Sequence, residues 1–397
     1  MKRAPADFAI LGGKQEFSRP LPVGQLYFPS WDRYEAAMRS VFDAGRFTGE
    51  GPLVRELEER LAAFFGVRHT ITVTNATIGL MMAAKALGLT GRVVVPSFTF
   101  VASAQALTWA GLDVAFCDVD PRTHQLTPET VAPVLESDVT AVLGVNLWGG
   151  SCDPAPLEAF ARDAGVKLFF DSAHGAGVTV GGVSLGGFGE MEIFSFHATK
   201  VLSATEGGCI CTNDDDLAAR VRELRGGHPS PMAELRLRCE APFSEAQAAI
   251  ALMSLEDLPR RLARNERLVR AYASCLAGIP GIRVVLPTGA DRSNYQYGVV
   301  EVDETRFGMS RDALAAILAA ENVVVRRYFH PGVHRSVPYR RDPRFASLVL
   351  PHTERLCETL LQLPVGALVD ARAVGRVAAL VEAAHRHAGS LVIGAAA

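Results

Sequence analysis

Between Thr70 and Thr212 the chain repeats one unit, a short apolar run rich in β-branched residues followed by a helix-like segment. The runs are Thr70–Val73, Arg92–Val95, Val114–Cys117, Val139–Val145, Lys167–Asp171, Ile193–Phe196 and Cys209–Thr212. Most lack strict apolar–polar alternation, as expected of strands whose two faces are both covered by helices. The intervening segments Ala76–Leu87, Ala102–Ala110, Pro128–Leu135 and Pro154–Ala164 read as helices. Thr127 before Pro128 supplies an N-cap followed by proline at the first helical position. The repeat predicts an α/β layer structure with a mostly parallel sheet.

Beyond Thr212 the texture changes. Residues 244–276 read as one long helical stretch with Pro259 marking a kink or break. Gly281–Val285, Tyr295–Val302, a helix at Arg311–Glu321 and a strand at Val323–Arg327 then mix without the earlier regularity. With 397 residues the chain is too long for one ordinary domain. We expect a large domain over residues 1–268, N-terminal segment included, and a smaller C-terminal α+β domain over 269–397. The final residues, SLVIGAAA, are expected to be poorly anchored.

Several function classes fall away. Net charge is −3 with no long basic block, which argues against nucleic acid as a partner. The longest uncharged run, Val93 to Leu112, contains Pro96, Ser97, Thr99, Ser103, Gln105 and Thr108, so it reads as strand, turn and helix rather than a membrane span. The N-terminus has too short an apolar stretch for a signal peptide. Seven cysteines without metal-finger spacing suit a reducing, cytoplasmic setting, and no metal site is expected. No Walker A sequence and no GxGxxG after the first strand occur, so nucleotide-fold readings lose ground.

Three features lie at predicted strand ends, where open α/β sheets bind ligands. Thr74-Asn75-Ala76-Thr77 leaves a strand and opens a helix, which makes either a phosphate site or a simple N-cap. Asp171 ends KLFFD and could pair with a cation or cap the next turn. Lys200 follows the strand ending in Ser195-Phe196, and is either a solvated surface charge or an amine whose pKa is lowered by an apolar setting. The order phosphate turn, aromatic, Asp, then Ser and Lys fits pyridoxal phosphate chemistry.

FTGEGPLVRELEERLAAFFGV, PSFTFVASAQALTWAG, FFDSAHGAG, FSFHATK and EGGCICT resemble, in order and spacing, the DegT/DnrJ/StrS family of sugar aminotransferases, enzymes of the fold type I class that use pyridoxal 5′-phosphate (PLP). The likeness runs from about residue 46 to 340. It implies that Lys200 carries PLP covalently and moves the proton, and that Asp171 pairs with the pyridine nitrogen. His174 stands where relatives carry Gln or His against the phenolic oxygen. Ser195, Thr77, Ala76 and the amide of Ile78 match the phosphate cradle, and Phe100 matches the aromatic that stacks on the ring, with core packing its bland alternative. RRYFHPGVH resembles the subgroup acting at C4 of dTDP-4-keto-6-deoxyglucose, which implies substrate contacts from Tyr328, His330 and His334; a Pro-turned loop is the other reading of this stretch.

The expected reaction is transfer of an amino group from glutamate, through pyridoxamine phosphate, to a nucleotide-linked keto sugar, in deoxyaminosugar biosynthesis for natural products. Homodimers with interface active sites are implied. Transfer to a C3 keto sugar or keto-inositol, and a non-catalytic PLP-binding regulator, stay open. A dehydratase of the same fold is disfavoured, because those relatives replace the lysine with histidine. Two departures stand out. Ala76 replaces the usual Gly of the phosphate turn. Glu240 occupies the place of an Asn that in relatives reaches the partner subunit's phosphate, where a carboxylate would be repelled.

Overall fold

The computed structural model describes residues 2–24, 27–226 and 238–395. Strands β1 (His69–Val73), β2 (Arg92–Pro96), β3 (Asp113–Cys117), β4 (Val139–Val145), β5 (Lys167–Asp171), β6 (Glu192–Ser195) and β7 (Gly208–Thr212) form one sheet in the order β1-β7-β6-β5-β4-β2-β3. Every pairing is parallel except the two that β7 makes with β1 and β6. The C-terminal ends of β1, β2, β5 and β6 therefore share one edge, the edge where such sheets bind ligands.

Successive strand residues face opposite sides of the sheet. On one face Val93, Val95, Leu143, Phe169 and Ile193 pack with Leu80, Leu107 and Val221 from helices Ala76–Ala86, Val101–Trp109 and Asp215–Arg225. On the other, Val94, Val142, Leu168 and Phe170 pack with Leu157 and Ala161 from helix Pro154–Ala164. Burial on both sides explains why the strands read as continuous apolar runs.

The second unit is a three-stranded antiparallel sheet, β8 (Ile282–Val285), β9 (Gly298–Val302) and β10 (Leu360–Leu363), in the order β8-β9-β10. Val300, Val302, Leu361 and Leu363 pack against Leu268 and Tyr272 of helix Leu258–Cys275 and against Val377 and Leu380 of helix Ala371–Arg386. The long helical stretch is in fact two helices, Glu245–Glu256 and Leu258–Cys275, with Pro259 in the first turn of the second, where its missing N–H costs nothing. The expected boundary at 268/269 falls inside that second helix.

Three further differences from the sequence reading have local causes. The N-terminal segment, assigned to the large domain, packs on the small sheet's core: Phe8, Phe17 and Leu21 join that cluster, and buried Glu321 accepts the N–H groups of Ala9 and Glu16 and pairs with Lys2 at 2.9 Å. Val323–Arg327 is not a continuous strand, because Val323 bridges to Leu21 on one side and Arg326 to Gln362 on the other. The tail is anchored by Leu391, which is wholly buried in the same core. No helix among the described residues is long and apolar enough to cross a membrane.

Candidate active site

The helix Ala76–Ala86 leaves the end of β1 with Asn75 as its N-cap, and Asn75 Oδ1 accepts the N–H of Ile78 at 2.9 Å. The Ile78 amide, expected in the phosphate cradle, is thus engaged by the cap. The N–H groups of Ala76 and Thr77 occupy the open first turn, where orphan donors and the helix dipole favour an anion. Gly208 of β7 lets the turn sit this close to the sheet: a Cβ there would stand 2.9 Å from the Ala76 nitrogen. Ser195, at the end of β6, adds a hydroxyl to the same wall.

Asp171 closes β5 with its carboxylate buried. Ser103 Oγ donates to Oδ2 at 2.8 Å, the Ala173 N–H donates to Oδ1 at 3.1 Å, and Thr99 Oγ1 lies 2.9 Å from Ser103 Oγ. Burial pushes the Asp171 carboxyl above its ordinary value, against the pull of Ser103, Ala173 and the charge of Lys200. A cation placed beside it would complete the compensation.

His174 is buried three residues on, and its Nδ1 accepts the Trp148 N–H at 3.3 Å. Burial, reinforced by the positive Lys200, holds it well below the ordinary imidazole value, so the ring is neutral. With Nδ1 accepting, the single proton sits on Nε2, which is then a donor.

Lys200 ends the turn after β6, its N–H donating to the carbonyl of His197 at 2.9 Å. Buried Gln296 clamps both sides of this turn. Its Nε2 donates to Thr199 O at 2.8 Å, and its Oε1 accepts the Val201 N–H at 3.0 Å. Buried Asn294, two residues earlier on the same extended segment, donates to the carbonyls of His174 at 2.7 Å and Ala176 at 2.9 Å. Burial pushes the Lys200 amine down to about 8, with Asp171 opposing the shift. Near neutral pH a useful fraction is therefore uncharged and nucleophilic.

Ala76, Thr77, Asp171, His174, Ser195 and Lys200 line one cavity of about 520 Å³, together with Phe100, Arg326, Tyr328 and Phe329. Phe100 is 52% exposed and tilts toward Tyr328 at 6.2 Å between ring centroids, so core packing does not account for it. The cavity does not gather all the expected substrate residues. Tyr328 lines it, whereas His330 is exposed and lies outside the lining. His334 is wholly buried, with Nδ1 at 2.6 Å from Ser97 Oγ and Nε2 at 3.1 Å from Glu354 Oε1. It ties the loop to the end of β2, and its side chain is spent in doing so. Glu240 is exposed outside the cavity lining, with Oε2 3.0 Å from where a Cβ on Gly226 would stand. Sequence reasoning missed Ser103, Asn294, Gln296 and Arg326. The one available signal was the alternation of Asn294 and Gln296 with Tyr295 and Tyr297 ahead of an apolar strand.

An amine near a strand end, a buried carboxylate, a neutral imidazole donor, a helix start and an exposed aromatic face make a donor set that fits PLP at each end of the ring. The DegT/DnrJ/EryC1/StrS aminotransferase family model matches residues 32–382. The chain belongs to this family. Its members are PLP-dependent, and this protein is accordingly a PLP-dependent sugar aminotransferase of the fold type I class. Among its relatives is the dTDP-4-amino-4,6-dideoxy-D-glucose transaminase of Shigella dysenteriae, 32% identical over 314 residues, 79% of this chain and 85% of that one. The solved structure of DesI in the presence of its TDP-sugar product superposes with a TM-score of 0.93 at 41% identity, covering 98% of this chain and 99% of that chain. The aminotransferase TlmJ from Streptoalloteichus hindustanus follows at 0.82 and 29%, covering 93% and 100%.

Proposed function

We propose that this enzyme moves an amino group from glutamate to C4 of a dTDP-linked 4-keto-6-deoxyhexose. The observation that carries the reading is the wall formed by Tyr328 and Phe329 in the Lys200 cavity. That wall comes from the RRYFHPGVH stretch resembling the C4 subgroup. The 41% likeness to DesI supports the same substrate class.

When bound, PLP supplies an electron sink for charge at the substrate's reacting carbon. The chain's residues do the rest. Asp171 holds a proton at the pyridine nitrogen by its opposite charge. His174 offers its Nε2 proton to the phenolic oxygen. Ala76, Thr77 and Ser195 hold the phosphate, and Phe100 covers the ring face. Lys200, held by Gln296, takes the proton from the substrate carbon and returns it at the other acceptor.

We also propose a homodimer. Phe28, Trp31, Phe42 and Phe47 are 73%, 69%, 66% and 51% exposed, an apolar grouping on and beside helix Trp31–Ala44 that calls for a covering surface. The test offers purified PLP-loaded protein glutamate with dTDP-4-keto-6-deoxyglucose, and separately with its 3-keto isomer and a keto-inositol. Product mass and NMR should place the new amine at C4; amination only of the 3-keto or inositol substrate would sink the reading. Light scattering at working concentration should give twice the chain mass.

A further inference from the structure

The cavity holds a cation that the proposed steps leave unused. Arg326 lines it with a half-buried side chain whose Nη1 donates to Tyr328 Oη at 3.0 Å and whose Cζ lies 5.6 Å from the Tyr328 ring centroid. Its backbone is fixed by exchange with Gln362 of β10, at 3.3 Å and 2.8 Å. Neighbouring Arg327 spends its charge on Asp312 at 3.2 Å, but among the described residues no carboxylate lies in ion-pair range of Arg326. A partly buried guanidinium without a counter-ion, aimed into a ligand cavity, is arranged for an anionic ligand, and its planar fork matches a carboxylate.

We propose that Arg326 is the receptor for the α-carboxylate of the amino donor, with Tyr328 orienting its guanidinium. This rests on the glutamate-to-keto-sugar reading above. Two anions could reach the cavity, the donor's carboxylate and the diphosphate of the sugar nucleotide. The donor's carboxylate is bonded to the very carbon whose proton Lys200 must take, whereas the diphosphate hangs from C1, across the ring from C4. Arg326 and Lys200 line the same cavity, near enough that, after burial, the charge of Arg326 also disfavours the protonated Lys200 amine. That proximity favours the carboxylate. Tyr328 then acts in both halves of the reaction, holding Arg326 in one and facing the sugar in the other.

The test follows each half-reaction separately by the cofactor's absorbance in a single turnover. In Arg326→Gln the glutamate concentration for half-maximal rate should rise about tenfold or more, the scale of a lost charge-assisted pair. The dissociation constant of glutarate, an unreactive dicarboxylate, should rise in parallel by calorimetry, and Arg326→Lys should recover part of both. The amino-sugar nucleotide, run in the reverse half-reaction, should keep its half-saturation within threefold. An unchanged glutamate dependence, or a loss confined to the sugar nucleotide, overturns the assignment while leaving the proposed function standing. A wild-type enzyme that takes its amine only from a donor lacking a carboxylate overturns both.

Discussion

Ser103 Oγ donates to Asp171 Oδ2 over 2.8 Å, joining a helix that follows β2 to the carboxylate that ends β5. Ser103 is itself buried, so the pair is shielded from water. This bond pulls the Asp171 carboxyl down while burial pushes it up. In Ser103→Ala the carboxyl should rise further, moving the acid limb of the rate profile to higher pH. A hydrogen bond to a charged group is worth about 1.5–3 kcal/mol, so turnover should fall by roughly 10- to 100-fold. Rates measured from pH 5 to 9 would show both; an unmoved acid limb would assign Ser103 to packing alone.

Asp171→Asn should cost far more turnover than cofactor affinity, because an amide cannot hold a protonated ring nitrogen while the phosphate cradle is intact. The expected loss is about 10²–10⁴ in rate, the scale of general acid–base and electrostatic contributions. Equilibrium titration of apo-protein with PLP beside steady-state kinetics decides it. Near wild-type turnover would reduce Asp171 to a turn cap.

Lys200 should be the attachment point of the cofactor. Borohydride reduction and peptide mapping should place the pyridoxyl group on the Lys200 peptide, and an adduct elsewhere would falsify the assignment. Lys200→Ala should stay folded, since Gln296 holds the turn through the main-chain groups of Thr199 and Val201, and should bind PLP without covalent attachment and lose turnover.

Phe100→Ala separates stacking from packing. With the ring 52% exposed, unfolding should change by only about 0.5 kcal/mol. PLP affinity should weaken several-fold, because aromatic pairs contribute about 0.5–1.5 kcal/mol beyond area burial. A large stability loss with unchanged PLP affinity would make Phe100 a core residue.

His124 gives the fold an acid-sensitive point. It is 2% exposed against Phe98 and Trp148, and burial pushes its imidazole down to about 4. The unfolded chain, near 6.5, binds the proton first, so stability is full above about 6.5 and falls as pH drops toward 4. The span corresponds to about 3 kcal/mol. His124→Asn suits the positive φ of 61° and cannot titrate. Its unfolding midpoint should be lower at pH 7 yet decline less between pH 6.5 and 4; an equal decline would place the acid sensitivity elsewhere.

The sequence by itself determined the strands of the large sheet, because burial on both faces writes each one as a local apolar run, as in VTAVLGV and KLFFD. It also placed Asp171, Ser195 and Lys200 at strand ends, since the end of an apolar run is visible in neighbouring residues. Tertiary structure alone decided which polar groups meet. Ser103 reaches Asp171, Gln296 reaches both sides of Lys200, and Glu321 gathers the N-terminal segment, across separations of 68, 95 and 305 or more residues. The same holds for His334, whose Pro-turned loop looked ready for substrate until Ser97 and Glu354 took up its ring nitrogens. Periodicity reports only which face of an element is buried. The partner of a buried hydrogen-bonding group is set by strand order and by how the second sheet docks, and neither leaves a mark on the residues next to it in the chain.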